Sequence, residues 1–292
     1  MTTAPARPTP TRPTTPAKPT TPTAPAAKGF TVSNGPQQRG QRVILYGPEG
    51  SGKTTLASLI ERSRFIDRDS DGTKGMHVSR VDGIDTFDDV ISALSTPALW
   101  KDISTVIVDS GTVVQELATL AVVGVPKQGE APKSLETVGG GYGKGYRMVY
   151  EKMLLFFAAL DRHVEQGRNV VLICHSTTGN IPNPNGPDYL QHQLSLQQTS
   201  QGQLRTRAGG WADHVIFINR DVSVKEDTNK ANATTGSRTL ETVWSPWWVA
   251  KTRVFSVNGE ERSLSPQIEY YDPRGEHAAH NTVLWQTLGF NK

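Results

Sequence analysis

Short, continuous apolar runs alternate along the chain with stretches whose apolar residues recur every three or four positions. Val43-Ile44-Leu45-Tyr46, Val106-Ile107-Val108, Val170-Val171-Leu172-Ile173-Cys174 and Val215-Ile216-Phe217-Ile218 are such runs, rich in β-branched residues. Apolar runs without polar alternation predict strands buried on both faces, as in a mainly parallel sheet. Between them, Leu56, Leu59 and Ile60 mark one helix, and Phe87, Val90, Ile91 and Leu94 another. The longest expected helix covers about 146–166, with Tyr146, Val149, Tyr150, Met153, Phe157, Leu160 and Val164 along one face. Strands alternating with helices predict an α/β fold with right-handed crossovers. From about Val222 the segments become β-rich with polar loops, and 225–238 reads as a solvated hairpin loop. Antiparallel strands are therefore expected on the C-terminal side of the parallel core.

Composition separates one end of the chain from the rest. Residues 1–28 hold 9 Thr, 8 Pro and 6 Ala, with Arg7, Arg12, Lys18 and Lys28 and no acid. Nothing bulky is available there to bury, and each proline lacks a backbone donor. A disordered, polyproline-leaning tail is expected, followed by one nucleotide-binding domain over 29–292. The tail's four cations exceed the net charge of +3 of all 292 residues, so the body is close to neutral. Any affinity for nucleic acid must then come from local patches. The single cysteine, Cys174, excludes an internal disulfide and points to a reducing cytoplasm, with a packing role for the thiol. No apolar run is long enough for a membrane span, and residues 1–28 contain no secretory apolar segment, so no membrane partner is expected.

The strongest chemical signal follows the first apolar run: Gly47-Pro48-Glu49-Gly50-Ser51-Gly52-Lys53-Thr54, with Thr55 next. The spacing fits G-x-x-x-x-G-K-[ST] between a strand and an amphipathic helix. Glycines let the backbone curl so that successive N–H groups face phosphates. Lys53 would reach the β- and γ-phosphates of ATP, and the Thr54 hydroxyl would ligate Mg²⁺. Asp109 ends the run Thr105-Val106-Ile107-Val108 and is placed to hold the same cation. Ser110 follows it, so an acid that activates water must come from elsewhere. Asp67, Asp69 and Asp71 in Phe65-Ile66-Asp67-Arg68-Asp69-Ser70-Asp71 are the candidates. His277 and His280 form an H-x-x-H with no cysteine or further histidine nearby, a poor zinc site.

Two polar stretches lack apolar periodicity. Residues 124–145 end in Gly139-Gly140-Gly141-Tyr142-Gly143-Lys144-Gly145, followed by Tyr146 and Arg147. Tyr142, Lys144 and Arg147 could supply stacking and phosphate contacts to a single strand. Residues 177–210 read as a long loop rich in Asn, Pro and Gln, ending in Arg205 and Arg207. Loops of this length inside a domain are usually functional.

The order of these segments resembles the RecA-like P-loop ATPases, and among them the phage-type ATP-binding proteins that act as single-strand DNA annealing recombinases. The P-loop, Phe65–Asp69, Val108-Asp109-Ser110, Cys174-His175-Ser176, Gly209-Gly210-Trp211-Ala212-Asp213 and Lys251-Thr252-Arg253 carry the resemblance, which spans roughly residues 40–270. It implies a RecA-like core that binds ATP and Mg²⁺, hydrolyses ATP, and binds single-stranded DNA as a homo-oligomer, with a single-strand-binding protein as a further partner. Asp69 would polarise the attacking water, one methylene shorter than the usual glutamate. His175 would contact the γ-phosphate. Residues 247–255, expected as a strand, would present Lys251 and Arg253 to the γ-phosphate held by a neighbouring subunit. The loops after the third and fourth core strands would line the DNA. Alternatives are a nucleotide-gated interaction module with little turnover, a ring helicase or motor and, with the least support, a small-molecule kinase.

Overall fold

The structure is a computed structural model that describes residues 32, 39–68, 72–124, 133–225 and 230–291, without the side chains of 221–237. The Thr/Pro/Ala-rich tail, Asp69 and Asp71 lie outside the described residues. In chain order the elements are β1 (Arg42–Gly47), α1 (Lys53–Ala57), β2 (Ser63–Asp67), β3 (Arg80–Val81) and α2 (Phe87–Ser95). Next come β4 (Thr105–Asp109), α3 (Gly111–Val123), α4 (Lys144–Glu165), β5 (Asn169–Ile181) and β6 (Tyr189–Leu194). The remainder is β7 (Gln198–Thr199), β8 (Gly202–Gln203), α5 (Leu204–Trp211), β9 (His214–Lys225), β10 (Lys230–Glu241), β11 (Phe255–Val257), β12 (Glu260–Arg262), β13 (Gln267–Tyr270) and α6 (Val283–Thr287).

The main sheet runs β13-β10-β9-β1-β5-β4-β2-β3, and β6 pairs with β5 off this path. From β9 to β3 every pairing is parallel, whereas β10 and β13 add antiparallel strands at one edge. This is an α/β architecture with a mainly parallel sheet behind the P-loop, and with antiparallel strands contributed by later segments.

Why the strands read as unbroken apolar runs is visible in the two cores. Side chains alternate between faces. Ile44, Tyr46, Val106, Val108, Val170, Leu172, Val215 and Phe217 face α2, α3, α4 and α5. Val43, Leu45, Ile107, Val171, Ile173, Ile216 and Ile218 face α1 and the C-terminal segment with Leu284, Trp285, Leu288 and Phe290. Both faces are covered, so the runs 43–46, 106–108, 170–174 and 215–218 are buried throughout.

Three sequence expectations are corrected. Residues 177–210 are largely ordered: β5 continues to Ile181, turns back as β6 with Ser176 opposite Leu194 and Ile181 opposite Tyr189, and α5 follows. The hairpin's polar, partly exposed residues give no apolar period to read, and backbone pairing shapes it, with Asp188 accepting from Asn180 Nδ2 and Asn183 N at its turn. Residues 225–238, expected as a loop, belong largely to the β9–β10 pair, with Lys225 opposite Lys230. Residues 247–255 are not a strand apart from Phe255, which opens β11: Ser245 and Trp248 exchange backbone bonds of 3.2 and 3.3 Å in a turn around Pro246. Lys251 then touches β9 only through an isolated bridge to Val215.

Candidate nucleotide-binding site

The P-loop leaves β1 at Gly47 and curls over the C-terminal end of the parallel strands, where Asp67 and Asp109 also emerge in paired register. Gly50 and Gly52 take φ of 66° and 93°, left-handed values that a side chain would oppose. Around them lies a cleft of about 850 Å³ lined by Glu49, Gly50, Gly52, Lys53, Thr54 and Thr55 on one side. Asp67, Asp109, Ser110 and His175 line it from the strand ends. Pro48 closes the turn by accepting from Ser51 N at 3.3 Å.

Lys53 is buried, and its ammonium donates to Gly47 O at 3.0 Å and to Pro48 O at 2.7 Å. Desolvation pulls its pKa down, while the nearby Asp109 carboxylate opposes that shift. A cation so poorly hydrated gains strongly from an anion placed in the cradle. The Thr54 hydroxyl donates to Asp109 Oδ2 at 2.5 Å. Burial pushes the Asp109 carboxyl up, Thr54's hydrogen bond works against this, and the Asp67 charge raises it further.

These donors fit Mg²⁺. Thr54, Asp109 and Asp67 present hard oxygens, and a cation beside the two carboxylates would offset both desolvation and mutual repulsion. Thr54 and Asp109 would hold it, with Asp67 behind them; when bound, the ion neutralises phosphate charge. Asp67 also accepts from Thr73 Oγ1 at 2.7 Å. Gly72 returns to the cleft as well, where an added Cβ would lie 3.3 Å from Thr54 Oγ1.

His175 stands opposite Gly47 in the β1–β5 register. Its backbone N donates to Thr112 Oγ1 at 3.1 Å, and its buried Nδ1 has no partner among the described residues. Beside it Cys174 is wholly buried, and burial pushes its thiol up to about 12. Ser110, in the place where a glutamate would activate water, instead caps α3 by accepting from Val113 N at 3.3 Å.

Residues 39–254 match the AAA domain family. The chain belongs to that family. It is an AAA-family P-loop ATPase, and nucleotide binding follows from membership together with the intact cradle. The comparison with curated proteins gives no match. Among solved structures the chain is similar to a KaiC-like protein from the hyperthermophilic archaeon Pyrococcus horikoshii OT3, at 14% identity and a TM-score of 0.39, over 81% of this chain and 88% of that one.

The remaining site residues of this AAA-family chain fall into three groups. Lys251 and Arg253 lie at the opposite end of the sheet from the P-loop. Arg253 N bonds Asp213 O, whose neighbour His214 pairs with Val43. At about 3.3 Å per residue, that level is roughly 16 Å below Gly47. Arg253 forms a 3.0 Å ion pair with Asp213 and donates to Gly210 O. Tyr142, Lys144, Arg147 and Arg207 are exposed, with Tyr142 93% open and at φ 58°. Arg147 pairs with Glu151. Arg205 is spent inside the fold, donating to Leu194 O, Leu196 O and Gln193 Oε1.

Sequence reasoning missed a third wall of the cleft. Arg238 on β10, and Asp272, Pro273 and Arg274 after β13, line it too. No motif marks them; only the pairing of β10 with β13 brings them to the P-loop. The last three lie beyond the matched family segment.

Proposed function

We propose that this ATPase binds single-stranded DNA and promotes annealing in recombination, with ATP state governing the interaction. The observation that carries the reading is the meeting of the two polar stretches singled out for DNA. Gln197 Nε2 donates to Tyr146 O at 2.9 Å, and an added Cβ on Gly143 would lie 3.5 Å from Gln201 Cγ. Tyr142, Lys144 and Arg147 thus stand next to the segment that links β6 to α5. That segment is tied to the cleft: Ser195 N bonds His175 O, and Thr112 Oγ1 bridges His175 N and Ser195 O. A change at His175 on γ-phosphate binding would reach the DNA face through these bonds. Exposed tyrosine beside lysine and arginine supplies base stacking with phosphate neutralisation.

Water activation falls to Asp69 in this reading. Asp67 and Gly72, on either side of this acidic segment in the sequence, both line the cleft. The nucleotide-gated module with little turnover is favoured by one observation, the use of Ser110 as a helix cap rather than an acid. A single-strand DNA titration with ATP, with ADP and without nucleotide tests the proposal. Affinity should depend on nucleotide in the wild type, and Lys53→Ala should lose that dependence. DNA binding that is absent, or identical in all three states, would overturn it.

A further inference from the structure

A guanidinium supplied by the antiparallel edge of the same subunit stands against the phosphate cradle. Arg238 lies on β10 opposite Tyr270 of β13. Its Cζ sits 5.5 Å from the centre of the Tyr270 ring, a cation–π contact that fixes the guanidinium plane. The ring is itself pinned to the P-loop, because Tyr270 donates its hydroxyl hydrogen to Gly52 O at 2.8 Å. Tyr270 is 1% exposed, so this linkage is packed in place. An added Cβ at Gly52 would meet Tyr270 Oη at 2.5 Å and Arg238 Nη1 at 3.1 Å. The guanidinium and the Tyr270 ring therefore fill the space that a side chain just before Lys53 would need.

Arg238 faces the cleft with unspent hydrogen-bonding capacity. Its Nε is buried and has no partner among the described residues. Among those residues no carboxylate forms an ion pair with it, although Asp272 lines the same cleft. The half-buried guanidinium therefore has donors to spare toward the cleft, and a planar fork of donors suits phosphate oxygens. Lys251 and Arg253 cannot fill this position within one chain, since they lie at the other end of the strands.

We infer that Arg238, oriented by Tyr270, binds the phosphate chain of the nucleotide in the same subunit whose P-loop holds it. The inference rests on the reading of the cleft as the ATP site. It assigns to β10 and β13 a binding role that the P-loop motif does not include.

Calorimetric titration of ATP and ADP into full-length wild-type, Lys53→Ala, Arg238→Gln and Arg238→Lys proteins tests it, with nucleotide-free melting temperatures measured alongside. Arg238→Gln should weaken ATP binding at least tenfold while its nucleotide-free melting temperature stays within a few degrees of wild type. Arg238→Lys should recover part of the loss, because it restores the charge without the fork. The affinities should not change with protein concentration, as expected for a contact within one subunit. Wild-type affinity in Arg238→Gln, with binding lost in Lys53→Ala, would overturn this inference and leave the P-loop reading standing. Absence of ATP binding in the wild type would overturn both. Weak binding in Arg238→Gln and Arg238→Lys alike, with a matching fall in melting temperature, would make Arg238 a structural residue and also reject the proposal.

Discussion

Replacing Trp285 by phenylalanine tests whether the C-terminal segment braces the P-loop helix. Trp285 is fully buried on α6, stacks on Phe290 at 5.5 Å, and donates its indole N–H to Leu56 O at 2.7 Å. Leu56 lies on α1, three residues beyond Lys53, and its carbonyl also accepts from Leu59 N at 3.3 Å. Phenylalanine keeps an aromatic ring but removes the donor. Losing the shorter of the two hydrogen bonds to this carbonyl costs about 0.5–1.5 kcal/mol. The smaller ring gives up roughly 50 Å² of buried apolar area, or about 1 kcal/mol. Together these come to about 1.5–2.5 kcal/mol, which in a domain of this size lowers the melting temperature by about 3–10 °C. Thermal unfolding followed by circular dichroism reads the shift directly. Trp247→Phe is the control: Trp247 is 61% exposed, and its change should stay within about 2 °C. A shift in Trp285→Phe no larger than that of the control would refute the bracing argument.

Three further outcomes follow from the site and its surroundings. Asp69→Asn should keep ATP binding and lower steady-state ATP turnover by at least about tenfold; if Asp67→Asn is the inactive variant with ATP still bound, the water-activating acid lies two residues earlier. Replacing Lys144 and Arg147 together should flatten the salt dependence of single-strand DNA binding by roughly one unit of log–log slope, whereas Tyr142→Ala should cost about 1–3 kcal/mol with little change in slope; unchanged binding in both variants would remove this segment from the DNA face. His214 is buried as a neutral imidazole between Gln41 Oε1 and Thr252 Oγ1, and burial brings its pKa down from 6.5 to about 4. The unfolded chain therefore takes up this proton first, so stability present above pH 6.5 is lost as pH falls towards 4, by up to about 3 kcal/mol. Urea midpoints measured from pH 7 to 4.5 should fall less steeply in His214→Gln, and an equal slope would refute the assignment.

What the sequence by itself determined is local. A strand needs only its apolar run, and the P-loop needs only glycines, lysine and threonine at fixed spacing. Both are short-range patterns, so β1, β4, the central part of β5, the first half of β9, the long helix α4 and residues 47–55 were legible before any contact was known. Asp109 was legible as well, because the end of a buried strand is where a carboxylate can reach the cleft. The polar hairpin of β5 and β6 was not, since its order comes from backbone pairing between partly exposed residues. Residues 247–255 misled because their alternation resembles a strand, while the turn at Pro246 and the Arg253–Asp213 ion pair decide their path. Only the tertiary structure brought Arg238, Tyr270 and Arg274 to the P-loop, and only it placed Lys251 and Arg253 at the far end of the sheet. Those positions depend on strand order and direction, which arise from packing between distant segments, such as Gly52 and Tyr270, 218 residues apart in the chain. Spacing along a sequence carries no such information.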